Sequence, residues 1–158
     1  MANEFVKKEV SKIFAQKGDD EAKKVAMATA WIVANYKGVN IKIFDARETS
    51  SLCDYNIIAT AQNVTQAKTM IDELQANLRE NGSQIISVEG LTDGAWMLLD
   101  AGDVIVHIFQ EIPRQIFDLD ELWSAFPQVE IPQEYYFEHQ EMDEQKEDKK
   151  SDPTDNYF

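Results

Sequence analysis

Two short apolar runs, Ala95–Leu99 and Val104–Phe109, stand either side of Asp100-Ala101-Gly102-Asp103, and this arrangement constrains the chain more than any other stretch of it. A tight connection with glycine late in the turn, between β-rich runs, predicts a hairpin, because glycine accepts the positive φ such turns need. Alternation along the first strand puts Trp96, Leu98 and Asp100 on one face and Ala95, Met97 and Leu99 on the other. Downstream, Asp118 with Glu121 three residues on reads as a capping box, so a short helix is expected there with Leu122 and Trp123 in its first turn. Strand, turn, strand and a closing helix are the prediction for residues 95–123.

The remaining chain supplies partners for that unit. Val6, Val10, Ile13 and Phe14 recur at helical spacing before Gly18, predicting a short amphipathic helix whose apolar side either packs on the domain, the favoured reading, or awaits a partner. Asp19 or Asp20 caps a second helix running to about Tyr36, with an alanine-rich core stripe and Lys37-Gly38 as its stop. Asn40–Asp45 reads as a strand. Leu52–Ala61 reads as another, apolar enough to be buried on both faces. Asn63 with Gln66 opens a helix whose Ala67, Met70, Ile71, Leu74 and Leu78 follow a 3.6-residue period. Gln84–Glu89 is a further strand. The order α-α-β-β-α-β-β-β-α predicts an α/β (α+β) fold, a mixed sheet of about five strands flanked by helices. Three regions follow: an accessory N-terminal helix over 1–18, the α/β domain over 19–126, and an acidic, largely disordered tail over 127–158. Within that tail Tyr135-Tyr136-Phe137 is an aromatic cluster suited to docking back, whereas Gln140–Asp155 holds one apolar residue and is expected to be disordered. The tail past Pro132 is expected to be solubilising and dispensable.

Charge and composition exclude several function classes. The net charge is −14, and residues from Pro127 onward carry ten acids against three lysines. That balance argues against direct, non-specific nucleic-acid binding, which depends on phosphate neutralisation by Lys and Arg. It suits a basic protein partner. No apolar run approaches the roughly 20 residues of a membrane helix. The N-terminal stretch has no signal-peptide core, and a single cysteine, Cys53, fits the reducing cytoplasm.

A search for chemistry comes back incomplete. The chain has two histidines, His107 and His139, neither with a ligand-spaced companion, so neither metal nor other cofactor is expected. There is no nucleophile elbow, Walker A loop or G-x-G-x-x-G. The enzymatic alternative is metal-dependent nucleotidyl transfer, which needs carboxylates converging on Mg²⁺. Asp118-x-Asp120 is the best local match, but it sits at a helix start, where capping explains it. Asp100 and Asp103 flank a turn, where acids are common for conformational reasons.

Asp54-Tyr55, Ala59-Thr60, Glu89-Gly90, Gly94-x-Trp96, Leu99-Asp100, Gly102-Asp103, His107-x-Phe109 and Leu119-x-x-Leu122-Trp123 together resemble the ribosomal silencing factor, or Iojap, family. The resemblance runs from about Asp20 to Trp123. The family's D-Y pair falls on Asp54-Tyr55, its G-x-W-V-L-L-D on Gly94–Asp100, its G-D-V-V-V-H-x-F on Gly102–Phe109, and its acid-x-x-R on Glu111–Arg114. Ala61 stands where the family has Gly, Asn63 where it has Ser, and Asp120 where it has Glu. Ile116-Phe117 occupies the place of an aromatic pair. The resemblance implies a nucleotidyltransferase-like fold without catalytic carboxylates. It implies no enzymatic activity, but docking on a protein of the large ribosomal subunit at its intersubunit face, which blocks subunit joining under nutrient limitation.

Trp96, Leu98, Asp100, Asp103, His107, Arg114 and Trp123 are the expected partner-binding residues. An outward Trp96 and Leu98 would form an aromatic-plus-aliphatic anchor rimmed by acids. The competing reading puts Trp96 in the core. His107 equally reads as a hydrogen-bonded sheet residue, and Arg114 as an internal partner of Glu111 or Asp118. Exposed apolar strand faces also allow a homodimer. If Trp96 is outward, Trp96→Ala weakens binding at nearly constant Tm; if it is core, Tm falls.

Overall fold

The computed structural model describes residues 4–136. In chain order the elements are α1 (Glu4–Ala15), α2 (Glu21–Asn35), β1 (Val39–Asp45), β2 (Tyr55–Thr60), α3 (Val64–Glu80), β3 (Ser87–Glu89), β4 (Trp96–Asp100), β5 (Val104–Phe109), α4 (Glu111–Phe117), α5 (Leu119–Leu122) and β6 (Gln128–Val129). Six strands form one sheet in the order β3-β4-β5-β2-β1-β6. β2 and β5 are parallel, and every other neighbouring pair is antiparallel. The mixed α+β architecture therefore stands, with one strand more than expected.

Local chemistry explains most boundaries. Asp20 caps α2 by accepting from the Lys23 amide at 2.7 Å, and Asn63 caps α3 by accepting from the Gln66 amide at 2.8 Å. Gln66 Oε1 reaches back to the Gln62 amide at 2.6 Å, a capping box displaced by one residue. α2 ends where Lys37 turns left-handed; Gly38 then packs so closely on Val33 that a Cβ there would overlap it. β2 is buried along its whole length, as its composition predicts for a central strand, but it starts at Tyr55 rather than Leu52. The amides of Asp54 and Tyr55 both donate to the Asp103 carbonyl, which bends the preceding loop away and leaves Leu52 exposed.

The helices do not share the two faces of the sheet. α1, α2 and α3 all pack on one face, where Trp31, Ile32, Ile43, Tyr55, Ile57, Met70, Leu74, Met97 and Val106 form the main core. α1 buries Val6, Val10 and Ile13 against the domain, the favoured of the two arrangements its sequence left open. The opposite face holds a smaller cluster, Phe44, Ile58 and Phe109, covered by α4, α5 and the turn after them.

Three expectations need correction. Residues 111–117 form a helix, α4, that the apolar periodicity did not reveal. Asp118 is not a side-chain cap: its backbone is left-handed (φ 48°, ψ 49°), and the bonds it makes to the α5 amides run through its carbonyl. The segment from Pro127 does not begin as a loose tail. The Asp45 amide donates to the Pro127 carbonyl at 2.7 Å, β6 pairs with Ile43 and Phe44, and Tyr135 packs edge-on against Trp31. The disorder expected over Gln140–Asp155, and the docking of Phe137, lie outside the described residues.

Candidate functional site

Cross-strand register defines the sheet face turned away from α1–α3. Trp96 lies opposite Phe109, Leu98 opposite His107 and Asp100 opposite Ile105; Ile58 and Thr60 of β2 continue the same face. Met97 and Leu99, on the other face of β4, are fully buried in the main core. Alternation therefore assigned the two sets correctly and left their burial to be found.

Trp96 serves both purposes. It is half-buried, stacked on Phe109 with ring centroids 4.9 Å apart and touching Phe117 at 4.8 Å. Its indole Nε1 donates to His107 Nδ1 at 3.1 Å. We expect Trp96→Ala to lower stability by about 2–3 kcal/mol, from lost packing and an unpaired buried acceptor on His107. An unchanged Tm in thermal unfolding would rule this out.

His107 is buried beneath Trp96 and Trp123, the latter 5.4 Å away between ring centroids. With Nδ1 accepting, the neutral ring carries its proton on Nε2, which has no hydrogen-bond partner among the described residues. Burial pushes its pKa down from 6.5 to about 4. The unfolded chain therefore takes up a proton as pH falls below 6.5, while the native ring resists until about 4. The His107 contribution to stability is complete above pH 6.5 and falls by about 3 kcal/mol between those values. Chemical denaturation of wild type and His107→Phe at about pH 7 and about pH 4.5 tests this; equal pH dependence would contradict it.

Arg114 is buried too. Its Nε and Nη2 hold the two carboxylate oxygens of Asp120 at 3.1 and 2.9 Å, and Nη1 donates to the Asn40 carbonyl at 2.7 Å and Thr60 Oγ1 at 2.9 Å. Its carboxylate partner is thus Asp120, not Glu111 or Asp118. Lys42 reaches the same carboxylate at 2.9 Å. The Arg114 hydrogen bonds, with help from Lys42, hold the Asp120 pKa down at about 2. A cleft of about 570 Å³ opens beside this network, with Glu111 and Asp118 also at its wall. The Asp118-x-Asp120 pair of the enzymatic alternative does not converge on an open position: Asp120 is already committed to two cations. No group of three or more His, Cys, Asp or Glu among the described residues is placed to hold a metal ion.

The other expected residues divide. Leu98 is partly exposed on the open face. Asp100 closes the hairpin by accepting from the Gly102 amide at 2.8 Å, and Asp103 projects from the turn. Trp123 packs against Phe44 rather than standing free.

The surface residues that the sequence reading missed lie on α4 and α5. Ile112, Ile116, Phe117 and Leu122 are 68%, 72%, 53% and 69% exposed, whereas the residue α4 buries is Arg114. This helix is inside out: its charge faces the protein and its apolar groups face solvent. The available signal was Ile112 and Ile116 at i, i+4 spacing. It was hidden because Arg114 sits on the side that a core-facing stripe would occupy. Exposed Glu111, Asp118 and Glu121 fringe the patch.

A family model described as "Ribosomal silencing factor during starvation" matches residues 19–157. A "Ribosomal silencing factor RsfS" of Chromobacterium violaceum is 32% identical over 105 residues, spanning 66% of this chain and 86% of that protein. The chloroplast protein Iojap of Zea mays is 29% identical over 117 residues, covering 72% of this chain and 50% of its own length. Among solved structures, one from Chromobacterium violaceum aligns with a TM-score of 0.64 at 31% identity, over 66% of this chain and 88% of that one. Another, from Bacillus halodurans, aligns at 0.60 and 26% identity, over 72% of this chain and 100% of that one.

Proposed function

The chain belongs to the ribosomal silencing factor family, a family of regulators and not of enzymes, and on that premise we propose that it docks on a basic protein of the large ribosomal subunit and blocks small-subunit joining. Docking at the intersubunit face gives a steric mechanism: the small subunit cannot approach a surface already covered. Translation is damped in this way under nutrient limitation, in the reducing cytoplasm that one buried cysteine suits.

The single observation that carries the reading is the inverted helix α4. Exposing Ile112, Ile116 and Phe117 beside Leu122 leaves large apolar groups in water, which soluble surfaces rarely do except where a partner covers them. The acids around them, and a chain charge of −14, favour a cationic partner over RNA phosphate. Leu98 and the half-buried Trp96 extend the apolar surface onto the sheet, with Phe117 touching Trp96. His107, Arg114 and Trp123 support this surface from beneath.

Gradient co-sedimentation with purified ribosomal subunits tests the proposal. The protein should travel with free large subunits, and its addition should reduce the joined-ribosome peak. Protein remaining at the top of the gradient would overturn the reading. So would a Mg²⁺-dependent rise in Tm with nucleoside triphosphate, since a ligand stabilises the state it binds.

A further inference from the structure

We propose that Arg114 is a positioning residue: through Asp120, Thr60 and the Asn40 carbonyl it fixes the α4–α5 corner against the sheet and so sets the geometry of the docking face. The inference rests on the docking reading and adds to it the device that holds that surface in register. Arg114 is 8% exposed, so its guanidinium is spent on contacts within the chain.

The geometry is that of a clamp. One guanidinium ties together three separate parts of the chain: the start of β1 through Asn40, the end of β2 through Thr60, and the first turn of α5 through both oxygens of Asp120. Lys42 grips Asp120 from β1 as well. Arg114 is the single residue that α4 buries and α5 buries none; the apolar contacts at the corner come from partly exposed side chains, Phe117 against Trp96 and Leu119, Trp123 and Phe126 against the Phe44-Ile58-Phe109 cluster. An ordinary surface helix is held by a buried apolar stripe; here Ile112 and Ile116 face solvent, and the polar fork shares the anchoring with Phe117, Leu119 and Trp123.

Two backbone positions are consistent with this. Asn40 and Asp118 both adopt left-handed conformations, with φ of 51° and 48°, which Asn and Asp tolerate better than other non-glycine residues. The guanidinium bears directly on the first of them, the Asn40 carbonyl accepting from Nη1 at 2.7 Å; Asp118 closes α4 through its backbone, its amide donating to the Arg114 backbone carbonyl at 3.0 Å. The chain reverses at Asp118 from α4 into α5. The relative direction of the two exposed apolar sets, Ile112-Ile116-Phe117 and Leu122, depends on that joint.

Lysine cannot replace the fork, since one ammonium cannot serve a carbonyl, a hydroxyl and two carboxylate oxygens at once. Hydrogen exchange and large-subunit binding should therefore be measured on the full chain for wild type, Arg114→Lys and Asp120→Asn, with Ile116→Ser as a variant lacking an anchor but keeping the clamp. In Arg114→Lys and Asp120→Asn we expect amides of residues 111–123 to exchange roughly tenfold faster or more, with β2 and β5 unchanged, and binding to weaken by about tenfold or more. Ile116→Ser should weaken binding with wild-type exchange. Asp120→Asn leaves the Asn40 and Thr60 bonds in place and is the milder variant if Arg114→Lys folds poorly. Unaltered exchange in 111–123, uniformly faster exchange, or a local rise with unchanged affinity would each overturn the positioning role. A wild-type protein that fails to bind large subunits would instead overturn the docking reading itself.

Discussion

Replacing Ile112 and Ile116 together by aspartate should weaken binding to free large subunits by about a hundredfold while moving the Tm very little. Anchor residues at the centre of an interface typically contribute about 2 kcal/mol or more each, and about 1.4 kcal/mol is a factor of ten in affinity. Two neighbours on one helix face do not add fully, so about a hundredfold is the expected loss. Carboxylates would also repel the acids already fringing the patch, Glu111, Asp118 and Glu121, and would sit in a desolvated contact without a partner. Stability should barely respond because both side chains are about 70% exposed in the free protein. A carboxylate at position 112 would sit favourably in the first turn of α4, offsetting the few tenths of a kcal/mol lost to one at position 116, near the helix end. Equilibrium binding by gradient or fluorescence anisotropy, paired with a melting curve, decides the matter. Wild-type affinity in the double variant would remove α4 from the interface.

Trp31→Ala should produce the largest loss of stability, about 3–5 kcal/mol. Trp31 is 2% exposed and sits between Phe5 of α1, with ring centroids 5.6 Å apart, and Tyr135 of the C-terminal segment at 5.2 Å. Its Nε1 has no hydrogen-bond partner among the described residues, so the loss comes from packing and cavity formation. Three segments distant in sequence meet on this ring, and its removal should loosen both ends of the described chain together. The same contact sets how truncation behaves. A stop after Pro132 removes Tyr135 and should destabilise, contrary to the sequence expectation that everything past Pro132 is dispensable. Urea denaturation with a loss below about 1 kcal/mol for Trp31→Ala would exclude a central role for this ring.

Much of the architecture was legible from residue pattern because each element carries its own local signal. Asp20 and Asn63 announce helix starts through their side-chain oxygens, the 3.6-residue period of α3 marks its buried face, and Gly102 with Asp100 closes the hairpin. Alternation in β4 separated Met97 and Leu99 from Trp96 and Leu98 without any knowledge of the sheet. The elements that escaped have no such autonomy. β6 is two residues long and exists because Ile43 and Phe44 offer it a free edge. α4 departs from amphipathic patterning by burying Arg114, whose partners Asn40, Thr60 and Asp120 lie outside the helix, so no local rule could find it.

Family membership, the caps of α2 and α3, the central strand and the two faces of the hairpin could be read along the chain, because each rests on short local motifs. Three-dimensional packing was needed to learn that Arg114 points inward, that His107 is a buried neutral ring beneath Trp96, and that Ile112, Ile116, Phe117 and Leu122 form the open surface. Which side of a short helix meets water depends on what lies across from it, here Asn40, Thr60 and Asp120, and such long-range pairing leaves no periodic trace in the chain.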